Sequence, residues 1–79
     1  MYRALRTVQA IDNYKLILIF ADGDKRTFDM KKYLEMPPFD KLKDYELFKQ
    51  ARASFDTVEW PDDIDIDPEI LLKESKKTA

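Results

Sequence analysis

The sequence predicts an α+β domain: an antiparallel three-stranded meander plus a short C-terminal hairpin, with two short helices between them and one terminal helix. Three observations predict it. Residues 7–30 either alternate apolar with polar or run continuously apolar, with turn-forming residues between the segments. Residues 29–51 carry two aspartates placed as helix caps ahead of apolar residues at helical spacing. Finally, Asp67-Pro68-Glu69 opens a leucine-rich run.

Taken in order, Val8 and Ala10 alternate with Thr7 and Gln9, which marks a first strand, and Asp12-Asn13 supplies the turn after it. The run Leu16-Ile17-Leu18-Ile19-Phe20 predicts a middle strand covered on both faces. Asp22-Gly23 closes the second hairpin at positive φ, and Phe28 and Met30, two apart, share one face of the third strand. Asp29 is placed to cap a short helix reaching about Glu35, which Pro37-Pro38 stops. Asp44 is placed to cap a second, with Tyr45, Leu47, Phe48 and Ala51 as its apolar side. The segment RASFDTVEW, 52–60, reads as two short strands around a turn near Asp56, with Val58 and Trp60 on one face. The terminal helix is expected from Pro68 to about Lys76. There are no repeats, low-complexity stretches or linkers, so residues 1–79 are expected to form a single domain.

Composition excludes more than it suggests. A chain of 79 residues buries only about 60% of the surface its unfolded form exposes, so one compact core is the most it holds. Hydrophobic residues make up 44% and charged residues 38%, a globular balance with a large surface fraction. The net charge of −2 disfavours direct contact with nucleic acid or anionic lipid. No window of 18 apolar residues and no signal-like N-terminus are present, so a cytoplasmic location is the expectation. With no cysteine and no histidine, the chain lacks thiolate chemistry, the commonest metal ligand and the commonest general base. A single glycine, Gly23, rules out a phosphate-cradling glycine loop.

The polar chemistry concentrates in EWPDDIDIDPEILLKE, 59–74. Asp63, Asp65, Asp67 and Glu74 fall at positions 1, 3, 5 and 12 of a calcium loop, but position 6, which must be glycine, is Pro68, and no helix is expected before it. A second metal reading takes Glu59, Asp62, Asp63 and Asp65 as oxygen ligands of a metal-dependent enzyme. The structural reading explains more residues. Asp67 becomes an N-cap, Pro68 the first helical residue, and Glu69 an acid in the first turn. Ile66 and Leu71 then stand where a hydrophobic staple would form. Ser54 and Ser75 have no histidine to activate them. Trp60 is of the type enriched at binding hot spots, but in so small a domain it is expected to anchor the core.

The motifs L-x-F-x-D-G at 18–23, F-D-M at 28–30, P-x-F-x-x-L-K-D-x-x-L-F at 37–48, F-D-T-V-E-W-P at 55–61 and I-D-I-D-P-E-I-L at 64–71 follow one another in an order that resembles the bacterial DUF2442 family. The resemblance covers about residues 5–72. Where the family usually has Gly-Thr before the last strand and Asn-Gly after Trp-Pro, this chain has Asp56 and Asp62-Asp63. What the resemblance implies is a small α+β domain without catalytic residues or cofactor, an accessory to another small protein encoded nearby, on the antitoxin side of a toxin–antitoxin pair. Some relatives extend into a DNA-binding helix-turn-helix, an activity not carried over to a chain with one helix after the last strand. The expected function is accordingly a non-enzymatic protein-binding module whose partner is a small protein or a second copy. The alternatives are the metal-dependent enzyme built on the 59–67 carboxylates and a DNA-associated regulator acting through a partner. The residues singled out for interaction or structure are Trp60, Pro61, Asp65, Asp67, Pro68 and Glu69, and Arg3 to Ala10, free of proline, is the edge expected to receive a partner.

Overall fold

A computed structural model describes residues 4–77. Its architecture is α+β. Seven strands, β1 (Leu5–Ile11), β2 (Lys15–Phe20), β3 (Lys25–Asp29), β4 (Arg52–Ser54), β5 (Thr57–Trp60), β6 (Ile64–Asp65) and β7 (Lys76–Lys77), form two antiparallel sheets ordered β1-β2-β3-β7 and β4-β5-β6. Two α-helices, α1 (Tyr45–Phe48) and α2 (Pro68–Glu74), and two 3₁₀ turns, Lys31–Tyr33 and Phe39–Lys43, complete the described residues.

One core joins both sheets: Leu16, Leu18, Phe20 and Phe28 from the first, with Met30 just past β3, meet Val58, Trp60 and Ile64 from the second, with Leu42, Phe48 and Leu71 supplied by the helical segments. The middle strand departs from expectation. Leu16, Leu18 and Phe20 are buried, but Ile17 and Ile19 remain partly exposed, so β2 is covered on one face rather than two. The cause is that the buried residues of both helices, Phe48 and Leu71, join the core on the Leu16 and Leu18 face, and a run of isoleucines and leucines does not reveal which side a chain this short leaves open.

Local boundaries shift for reasons visible in the backbone. The first connection uses three residues, 12–14, with Asn13 and Tyr14 at φ 65° and 57°. Tyr14 holds this left-handed conformation because its ring packs edge-on against Phe48, centroids 5.1 Å apart, and its hydroxyl donates to the Lys43 carbonyl. The helix expected from Asp29 to about Glu35 is one 3₁₀ turn, although the Asp29 carboxylate accepts from the Lys31 amide at 2.9 Å as a cap would. Asp44 caps α1 by accepting from the Glu46 amide at 3.1 Å, yet the helix lasts a single turn and Ala51 lies beyond it. The expected two-stranded hairpin gains a third strand, because the chain reverses at 61–63 and Ile64 pairs back on Trp60. The terminal helix stops at Glu74 instead of near Lys76, where Ser75 turns extended (ψ 150°) and Lys76 and Lys77 join the edge of β3.

Candidate functional site

Each carboxylate of the acidic stretch has a separate location. Asp62 and Asp63 occupy the β5–β6 turn with φ of 70° and 60°, the left-handed conformation that aspartate tolerates better than most side chains. Asp65 is exposed on β6 directly across from Glu59 on β5, and Glu59 in turn receives the Arg52 guanidinium at 2.7 Å from β4. Asp67 caps α2, its Oδ1 accepting from the Glu69 amide at 2.8 Å, with Pro68 at the first helical position and Glu69 in the first turn. Ile66 and Leu71, on either side of the cap, both enter the core. Among the described residues no three histidine, cysteine, aspartate or glutamate side chains converge on a point that a metal ion could share. The calcium-like spacing therefore does not become a cage: turn, strand and cap point its members apart.

Asp67 is one instance of a recurrent device. Asp22, Asp29, Asp44 and Asp67 each accept a hydrogen bond from the amide two residues ahead, so several of the acids serve local backbone geometry. Trp60 is 1% exposed; its ring stacks on Phe48 at 6.2 Å and its indole N–H donates to the Phe48 carbonyl at 2.8 Å. It ties α1 to β5 from within the core, and only the neighbouring Pro61 reaches the surface. The first strand is also less open than its sequence suggests. The Leu5 amide donates to the Phe55 carbonyl at 2.7 Å and β1 runs beside β4, so the start of that edge is occupied; Arg3 lies outside the described residues.

A feature with room for a ligand lies elsewhere. Met30, Tyr33, Phe39, Ile66, Asp67 and Ile70 line a cavity of about 150 Å³ between the 3₁₀ segments and α2. Its lining is apolar except at Asp67, and Ile70 at its lip is 37% exposed. The wall is braced from outside: the Tyr33 hydroxyl donates to Glu74 Oε1 at 2.6 Å, and Lys32 pairs with the same oxygen. Lys32 and Tyr33 hold the Glu74 carboxyl below the usual carboxylate range. Partial burial, reinforced by Glu74, raises the Tyr33 phenol, and the Glu74 contact raises the Lys32 ammonium. Sequence periodicity does not single out this cavity, because its walls come from two segments far apart in the chain, 30–39 and 66–70; the one local signal is Ile70, exposed on α2 while Leu71 beside it is buried.

The family described as "Protein of unknown function (DUF2442)" matches residues 5–77 of the 79-residue chain, and the chain belongs to it. No curated protein and no solved structure matches the chain.

Proposed function

We propose that this member of the DUF2442 family is a non-enzymatic protein-binding module, an accessory of the antitoxin kind, that makes contact through the apolar cavity beside α2. The single observation that carries the reading is that cavity: an apolar recess with an exposed isoleucine at its lip, in a chain whose carboxylates are dispersed into turns, a strand and a cap. Apolar recesses rimmed by a few polar groups are the usual receptors for an anchoring side chain. The one carboxylate in its lining, Asp67, is engaged as the cap of α2, and the residues with shifted proton affinity around Glu74 are tied to one another. The metal-dependent alternative has no converging ligand set to draw on among the described residues.

The test is affinity capture from the native host with the parent chain and with Ile70→Arg, followed by identification of any stoichiometric small protein. The parent retains a partner, a foreign protein or its own copies, and the arginine variant loses it. A parent that associates with nothing, itself included, overturns the proposal.

A further inference from the structure

Two aromatic residues hold backbone conformations that disfavour a side chain, and they differ in what compensates. Tyr14 has its ring against Phe48 and its hydroxyl on the Lys43 carbonyl. Phe55, at φ 54°, is the first of two residues in the tight turn between Ser54 and Thr57, a place where glycine is the ordinary choice, and its side chain is 82% exposed. The backbone there has a purpose, since the Phe55 carbonyl accepts from Leu5. Among the described residues, the phenyl ring has none.

We infer that Phe55 is the anchor of a symmetric contact between two copies of this chain, each inserting its phenyl ring into the cavity formed by Met30, Tyr33, Phe39, Ile66 and Ile70 of the other. The inference rests on the protein-binding reading and names the occupant of its site. Size supports a second copy: an apolar cavity of about 150 Å³ holds a benzene ring, and the cavity here has about that volume. Proximity supports it too. Thr57, two residues beyond Phe55, donates its hydroxyl at 2.5 Å to the carbonyl of Ile66, a residue of the cavity wall. Ring and recess thus occupy neighbouring ground, the arrangement in which one two-fold axis seats both rings at once and the assembly closes as a dimer instead of growing as a fibre. Charge agrees. Arg6, next to the residue bonded to Phe55, is exposed, and so is Asp67 at the recess, opposite charges that a two-fold contact can bring together.

The experiment is sedimentation of the parent, Phe55→Gly, Phe55→Ala and Ile70→Arg across a concentration series, with circular dichroism as the folding control. The parent sediments as a dimer. Each variant keeps the parent's spectrum and weakens dimerisation at least tenfold, and Phe55→Gly melts no lower as a monomer, because glycine suits φ 54°. Isotope-filtered NOE spectra of a mixed labelled parent sample show Phe55 ring protons against Met30 and Ile70 methyls of the other copy. A parent that is monomeric at millimolar concentration, or a dimer that Phe55→Gly leaves as tight as before, overturns the inference. If the parent is monomeric yet Ile70→Arg still loses a host protein that the parent captures, the recess serves a foreign partner: the protein-binding reading stands and this inference alone fails.

Discussion

Asp63 and Asp67 are four residues apart and do opposite things to the fold. Asp63 sits at φ 60°, where an L side chain crowds the backbone, and Asp67 satisfies an otherwise orphaned helix amide. Asp67→Ala is expected to destabilise the protein by about 1 kcal/mol and Asp63→Gly to stabilise it by about 0.5–1 kcal/mol. Chemical denaturation of both variants separates the two roles, and equal effects would contradict the assignment. The Glu74 tie gives a pH dependence with a definite sign. The folded state depresses the Glu74 carboxyl, so its contribution is present above the unfolded value near pH 4.3 and is lost as pH falls through the lower folded value. Lys32 and Tyr33 are raised in the folded state, so their contribution is present below about pH 10 and is lost as pH climbs through the folded values. Melting temperature should therefore decline on both flanks, and Glu74→Gln should flatten both declines relative to the parent.

At the scale of elements, β2 shows how one strand divides its apolar residues between a sealed and an open face. Leu18 is fully buried, and Ile17 beside it is not. Leu18→Ala is expected to cost about 2–5 kcal/mol, a large share of a small domain's stability, and Ile17→Ala well under half of that. Urea titrations that gave equal losses would mean that β2 is covered on both faces. The helices show the reverse economy. A single turn such as α1 has no stability of its own and persists because Phe48 is buried and its carbonyl accepts from the Trp60 indole. Across the second sheet, the row Arg52, Glu59 and Asp65 places two acids opposite one another with one guanidinium to offset them, which is unfavourable for strand pairing by itself. The burial of Trp60 and Ile64 on the other face holds β5 and β6 together in spite of it.

For the whole molecule, a core shared by both sheets means that neither sheet folds alone, and any ligand of the folded state must raise its melting temperature. A cation site filled at 100 times its dissociation constant would add about 2.7 kcal/mol, roughly ten degrees or more in a domain of this size. Because the carboxylates of 59–67 do not converge, millimolar calcium, magnesium or manganese should shift the midpoint by no more than about a degree, far short of that linkage value. Differential scanning calorimetry checks this, and a shift on the scale of the linkage value would restore the metal reading. No helix among the described residues is long and apolar enough to cross a membrane.

By itself the sequence determined what depends on neighbours in the chain. Asp67-Pro68-Glu69 states its own cap, Asp22-Gly23 its own turn, and the order of motifs from Leu18 to Leu71 the family, because hydrogen bonds to an amide two residues away and tight-turn dihedrals are set within four or five residues. Tertiary structure decided what depends on distant segments. Alternation could not tell that Ile17 faces outward, because an apolar run reads the same whether one face or both are covered. Spacing in the acidic stretch could not tell that its members diverge, because calcium-loop intervals and a turn-strand-cap succession share the same intervals. Sequence favoured Trp60 as a core anchor but could not place Phe55 outward. Both are aromatic residues at a strand or its turn, and the difference lies in Phe48, whose ring and carbonyl receive the indole, while none of the described segments comes forward to cover the phenyl.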